Sequence, residues 1–252
     1  MATKPDAQGR RSPRIERVHA EPSYVLHAHP WRETSLVLDV FSRHHGRVAL
    51  IAKGAKRPHS QLRSVLLGFQ PFAASWSGKA EVRTLTQAEW SGGVPPLGGL
   101  ALLCGFYFNE LLLRMLARED PHERLFDAYH EALALLGTQS DPRPTTVEPL
   151  LRRFEMDMLR GLGHLPPLDR ESATDEALIP ERRYRVDPEH GVVATQGEDG
   201  LAGELLLAMA AGAWNRPDVA RAAKSVMREL LHYHLGSQPL RTRQLLIDLH
   251  QL

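Results

Sequence analysis

The chain holds a single cysteine, Cys104, in 252 residues, which excludes an internal disulfide framework and any cysteine-dominated zinc site. Its longest apolar stretch, Leu100 to Leu113, is broken by Asn109 and Glu110 and is too short and too polar to cross a bilayer. The start lacks the apolar core of a signal peptide. A cytoplasmic location without membrane contact is therefore expected. No phosphate-binding loop is present: Gly54-Ala55-Lys56 lacks both the long glycine loop and the following Ser or Thr. Gly161-Leu162-Gly163 reads as a helix end, and Glu119-Asp120 and Asp175-Glu176 as caps and solvated surface.

Acid is the scarcest commodity in one stretch. No Asp or Glu occurs between Asp39 and Glu81, while Arg43, Arg47, Lys53, Lys56, Arg57, Arg63 and Lys79 all do. The formal net charge of +1 conceals two opposed halves. Residues 1–90 hold 14 Lys and Arg against 7 Asp and Glu, whereas residues 91–252 hold 17 against 23. A local positive field of this kind favours a polyanion, and nucleic acid is the commonest one in a cytoplasm. The alternative is a solvated basic edge that discourages strand pairing.

Periodicity divides the chain near residue 90. Residues 1–14 carry no pattern and read as a mobile basic tail. Val18 to His29 can form a long strand that tolerates a break near Pro22. Thr34 to Ser42 and Arg47 to Lys53 follow with apolar alternation, joined by a turn at His44-His45-Gly46. Ser60 is placed to cap a short helix over Gln61 to Leu67. Phe69 to Trp76 and Ala80 to Ala88 read as two more strands. Three strands, a short helix and two strands are the order of the OB-fold, a small Greek-key barrel that often binds single-stranded nucleic acid. Among Tyr24, Trp31, Phe41, Phe69, Phe72 and Trp76, most rings are expected in the core. Trp31 and Phe41 are the candidates for stacking on bases.

After the Ser91 to Pro96 linker the signals turn helical. Leu97 to Arg118 is nearly all apolar and suits a domain centre, with Cys104 as a small buried hydrophobe. Asp120-Pro121 signals a second helix reaching Gly137, and Thr145 or Thr146 a third that stops near Gly163. Leu201 to Ala211, Asp218 to Leu235 and Leu240 to Leu249 supply the rest. Residues 166–200 are polar, with a hairpin signal from Tyr184 to Ala194. The fold class is thus α+β: a barrel domain over residues 15–90 and a helical domain over 91–252.

The segments YVLHAHPWRETSLVLDVFSRHHGRVALIAKGAKRPHSQLRSVLLGFQPF, FEMDMLRGLGHLPPLD and MRELLHYHLGSQPLRTRQLLIDL resemble, in order and spacing, those of the bacterial recombination mediator family RecO. The resemblance implies an N-terminal OB-fold, a helical C-terminal domain and a non-enzymatic role in DNA repair and recombination without a cofactor. It implies binding of single- and double-stranded DNA and annealing of complementary strands. It also implies action with RecR to load RecA on strands covered by single-strand-binding protein. Many relatives carry a four-cysteine zinc module after the segment matching Leu165 to Asp169. This chain has no cysteine there, so no metal is expected and region 166–200 is read as a degenerate module.

Two further sites are candidates. His27 and His29 lie on one face of a strand and, with His44 or His45, can be drawn as a three-histidine metal site, although no carboxylate or cysteine is placed to complete it. Arg221, Lys224 and Arg228 recur at helical spacing beside Leu230, Leu231 and Leu235. The family resemblance makes that stripe a receptor for the acidic, apolar-ended tail of single-strand-binding protein, and its alternative is a solvated helix face. Against the DNA reading stand a protein-interaction scaffold with a basic barrel face and an RNA-binding barrel.

Overall fold

The computed structural model describes residues 16–197, 200–236, 238–242 and 244. Strands β1 (Glu16–Trp31), β2 (Ser35–Ser42), β3 (Gly46–Ala52), β4 (Pro71–Gly78) and β5 (Val82–Trp90) close a barrel in the order β1-β2-β3-β5-β4, with the short helix α1 (Leu62–Val65) between β3 and β4. All neighbours are antiparallel except β3 and β5, which run parallel from Ala49 opposite Val82 to Ile51 opposite Thr84. This is the expected OB-fold topology. Alternation builds the interior: Val18, Val25, Leu38, Val40, Val48, Leu50, Phe72, Trp76 and Leu85 point inward and exclude water.

Several boundaries differ from expectation. β1 is longer at both ends than the Val18 to His29 strand expected and runs through Pro22. It shifts register between Val18 and Glu21 and bulges between Val25 and His27, which bends one long strand enough to pair with both β4 and β2. Ser60 does not cap α1, which starts after Gln61 without a side-chain cap. Phe69 lies outside β4 at a φ of 63° and packs into the helical core. Asp120 turns to His122 at 3.2 Å instead of capping the second helix.

The helical part comprises α2 (Gly99–Met115), α3 (Glu123–Gly137), α4 (Pro144–Gly161), α5 (Gly203–Ala210) and α6 (Pro217–Leu235). Strands β6 (Arg183–Asp187), β7 (Gly191–Ala194) and β8 (Leu201–Ala202) form a small sheet, and Tyr184 opposite Ala194 confirms the hairpin. Without thiolates its residues do not fit a four-cysteine zinc site. Packing and hydrogen bonds hold it instead. Ser172 exchanges hydrogen bonds with Val192, its N–H donating to the carbonyl and its Oγ accepting from the Val192 N–H, both at 2.8 Å. Asp187 accepts the N–H groups of Glu189 and His190 at 2.9 Å, which lowers its carboxyl to about 2. Leu178, Tyr184, Val186 and Val192 are buried in the helical core. The expected tail at residues 1–14 and most of the helix expected over Leu240 to Leu249 lie outside the described residues.

The two halves share one core. Tyr24, Leu26, Phe41 and Phe69 of the barrel segment pack with α2, α3 and α4, each burial stabilising by roughly 1.5–3 kcal/mol. Polar groups at the seam are paired: Asn109 Nδ2 donates to the Leu26 carbonyl at 2.9 Å, and Tyr129 OH donates to Asn109 Oδ1 at 2.5 Å. Gly46, at a φ of +65°, lets the β2–β3 turn approach the α2–α3 connection so closely that a Cβ there would fall 2.1 Å from the Asp120 carbonyl oxygen.

Candidate nucleic-acid interface

The seven basic residues singled out from the barrel sequence divide in the structure into two sets. Arg43 is spent on the helical domain, pairing with Asp127 at 2.9 Å and Glu123 at 3.2 Å. Hydrogen bonds from the guanidinium hold the Asp127 carboxyl below the ordinary range. Arg47 is half-buried, donates to the Leu113 carbonyl at 2.9 Å and sits 4.0 Å from Asp39. Desolvation lowers its pKa, as expected for a cation taken out of water. Their charge is therefore committed to holding the barrel on α2 and α3.

Lys53, Lys56, Arg57, Arg63 and Lys79 are exposed and make no side-chain ion pair or hydrogen bond among the described residues. The loop that carries the first three is ordered by its backbone. Lys56 N–H donates to the Thr34 carbonyl at 2.9 Å, which ties the loop to the β1–β2 turn. Arg57 N–H donates to Gly54 and Ser60 N–H to Arg57, both at 3.1 Å, giving successive tight turns that the positive φ of Gly54 allows. Ala55 is buried in the barrel core. That small plug anchors the loop from the middle, so Lys53 on one side and Lys56 and Arg57 on the other project into solvent. Arg63 follows on α1. The structure does not bring Lys79 to this group: the parallel β3–β5 register puts the β4–β5 turn toward the Gly46 end of β3, away from Lys53.

The two stacking candidates also part. Phe41 is 0% exposed and packs on Phe126 at 5.3 Å and Tyr129 at 6.1 Å, which corrects its assignment as a stacking surface. Its alternation on β2 does point outward from the barrel, but the helical domain covers that position. Trp31, at the end of β1 beside the basic loop, is 47% exposed. Trp90, which the sequence reading passed over, is 61% exposed at the end of β5. Only its terminal position on an alternating strand hinted at this.

The three-histidine site does not assemble. His27 and His29 contact one another at 4.0 Å, whereas His44 binds Glu21 and His45 packs on Trp76. No cluster of three or more metal-ligating side chains occurs among the described residues, and no described helix is long and apolar enough to cross a membrane.

On α6 the basic stripe borders a cleft of about 130 Å³ lined by Tyr107, Leu151, Arg152, Lys224, Arg228, Leu231, Leu235 and Leu240. Arg221 is exposed but outside this lining, and Lys224 pairs with Glu148 at 3.2 Å. Arg152 was missed in the sequence because it comes from α4, and no local spacing announces a side chain delivered by tertiary packing.

Comparison with known families gives two matches in tandem: Recombination protein O N terminal over residues 17–94 and Recombination protein O C terminal over residues 98–244. The chain is 51% identical to a protein of Polynucleobacter asymbioticus named DNA repair protein RecO, across 94% of this chain and 98% of that one. It is 47% identical to the protein of the same name from Aromatoleum aromaticum, with the same coverage. The Paraburkholderia xenovorans protein of that name is 51% identical across 97% of this chain and 83% of its own.

Proposed function

Because the chain belongs to the recombination protein O family of DNA repair proteins, we propose that it binds single-stranded DNA at the Lys53–Arg57 loop and anneals complementary strands there. The supporting observation is that Lys53, Lys56 and Arg57 on an ordered loop, and Arg63 on α1, have no side-chain partner among the described residues, while Arg43 and Arg47 are consumed internally. Cations in this state neutralise phosphates and release condensed counterions, an interaction with little dependence on sequence. Two complementary strands repel through their phosphates. A basic surface that holds both lowers the repulsion and raises their effective concentration, after which base pairing completes the duplex. The mechanism uses binding energy and needs no catalytic residue or cofactor. Double-stranded DNA is bound by the same cations through its phosphates.

The test is fluorescence anisotropy of a labelled oligonucleotide across a salt series, with wild type and the Lys53→Glu, Lys56→Glu, Arg57→Glu triple variant. Salt-steep binding that the variant loses, together with annealing, supports this reading. Affinity that survives the triple change removes the loop as the site. Equal competition by a polyacidic peptide would favour the scaffold reading, and preference for RNA the RNA-binding one.

A second reading concerns partners. The α6 cleft has Arg228 at its edge, with Lys224 paired to Glu148 and Arg152 paired to Glu155 beside it, around a floor of leucines, and a cation over an apolar floor suits an acidic peptide with an apolar end. The tail of single-strand-binding protein is such a peptide, and docking it would bring this protein, with RecR, to covered strands on which RecA is to be loaded. Lys224→Ala with Arg228→Ala should weaken binding of a tail peptide, and Arg221→Ala should not. Unchanged affinity in the double variant overturns this reading.

A further inference from the structure

The barrel's outer face on β1, β2 and β3 is only half covered. Toward the Gly46 end of β3 the helical domain closes it, through Phe41 on Phe126 and Tyr129 and through Arg47 on the Leu113 carbonyl. Asp39 marks the limit of that cover, held 3.5 Å from Arg118 and 4.0 Å from Arg47. Beyond Asp39 the exposed part of the face is β1, at His27, His29 and Trp31, while Val37 and Ile51 are partly exposed and Ser35 is buried. A strand leaving the basic loop cannot run the length of β2 and β3, and its free route lies across β1.

The residues that β1 places on that route are His27, His29 and Trp31. They alternate along one face of the strand, opposite Asp39, Val37 and Ser35 of β2, and all three are exposed. The last of them adjoins the loop: Trp31 pairs with Ser35, the next residue Leu36 pairs with Ala52, and Lys53 follows directly. Lys56 is hydrogen-bonded to Thr34 of the same turn. Trp31 stacks on no other ring among the described residues, so its faces are available.

The spacing suits bases. Two residues of extended strand advance about 6.7 Å along the backbone, roughly twice the 3.4 Å step between stacked bases, so the strand leaves room for a base between rings at positions 29 and 31. His27 closes edge-on against His29 at 4.0 Å and an interplanar angle of 75°, bracing the inner ring of the pair. Stacking of this kind tolerates any sequence because every base has a π-face.

We infer that His27, His29 and Trp31 form a base-stacking track for one nucleic-acid strand whose phosphates lie on Lys53, Lys56 and Arg57. The inference rests on the DNA-binding reading and adds to it where the bases go. The rings hold them splayed from the backbone on the open half of the face, and the helical domain ends the track at Asp39.

The test compares a thymidine oligonucleotide with an abasic oligonucleotide of equal length, which keeps the phosphates and lacks the bases. Wild type should bind the base-bearing strand about tenfold more tightly. His27→Ala with His29→Ala should abolish that preference while leaving affinity for the abasic strand and the salt slope unchanged, which also reports that the variant is folded. Trp31→Phe should remove most of the tryptophan fluorescence quenching produced by the thymidine strand. A double variant that keeps the preference, or a wild type that never shows it, overturns the stacking track and leaves the charged loop standing. A wild type that binds neither strand at low salt overturns the DNA-binding reading, and the track with it.

Discussion

Arg43 and Asp127 are joined by two parallel hydrogen bonds, Nε to Oδ1 at 3.1 Å and Nη2 to Oδ2 at 2.9 Å, that cross from the end of β2 to α3. A fork of this geometry is directional as well as attractive. It turns an arginine that in sequence belongs to the basic stretch into a fastener between the two halves.

Its substitution should therefore behave unlike that of the loop lysines. Arg43→Ala is expected to lower Tm by about 1–3 °C, the scale of a partly exposed ion pair, and to leave the salt dependence of DNA binding as it was. Lys53→Ala or Lys56→Ala should leave Tm unchanged and flatten the slope of log affinity against log salt by about 0.7 for a single strand. Thermal melts and anisotropy on the same preparations separate the two. A flattened slope for Arg43→Ala would return that residue to the interface.

That contrast shows where sequence was informative. The barrel's order was legible because inward residues such as Leu38, Val40, Val48 and Leu50 alternate with period two, and period is a local property. The hairpin at Tyr184 to Ala194 was legible for the same reason and because Asp187 and Gly191 suit its turn. The fate of Arg43, Arg47 and Phe41 was not. Each is decided by α2 or α3, and their acids, carbonyls and rings lie more than sixty residues away in the chain. His27 and His29 were visible as a pair on one strand face, yet their neighbourhood with Lys53 depends on the β1–β2–β3 register. The caps failed at Ser60 and Asp120 because the helices start one and two residues later, after Gln61 and His122, neither of which caps with its side chain.

Gly46→Ala should be among the costliest single-methyl additions in the chain. The residue sits at a left-handed φ of +65°, which alone disfavours a side chain by roughly 1–2 kcal/mol. The added Cβ also meets the Asp120 backbone, which cannot swing aside as a side chain would. Denaturant unfolding should show a loss of more than about 2 kcal/mol. Gly163→Ala, also at a positive φ of +74° but with open space around its Cβ, should lose only the conformational part. Equal losses in the two would mean that the turn at Gly46 relaxes.

Arg152 and Glu155 make an ion pair at 2.9 Å beneath the α6 cleft, with Glu155 fully buried and also accepting from Tyr107 OH at 2.5 Å. Arg152→Met takes the Arg152 cation from a fully buried carboxylate and should destabilise by about 3–5 kcal/mol, some 10 °C in Tm. Adding Glu155→Leu removes the buried charge as well and should restore much of the loss. If the double variant is no better than the single, the pair contributes through packing and not through charge.

The imidazoles of His164 and His234 stack at 4.0 Å and 24° where the ends of α4 and α6 meet. Burial first, and then the neighbouring His164, depress the His234 pKa below its ordinary 6.5. A base whose pKa is lower folded than unfolded binds fewer protons in the native state. Its contribution to stability is therefore complete above pH 6.5 and is lost as pH falls below that value. His27, lowered chiefly by burial and then by His29, acts in the same direction. The depressed carboxylates, such as Asp127, weigh in only at lower pH, so the interval from pH 7 to 5 reports mainly on histidines. Tm should fall across that interval in wild type. His234→Phe keeps a ring to stack on His164 and removes both the titration and the buried Nε2, which has no hydrogen-bond partner among the described residues. Its Tm at pH 7.5 should equal or exceed that of wild type and should decline less toward pH 5. Parallel declines in the two proteins would show that this stack is not where the chain senses acid.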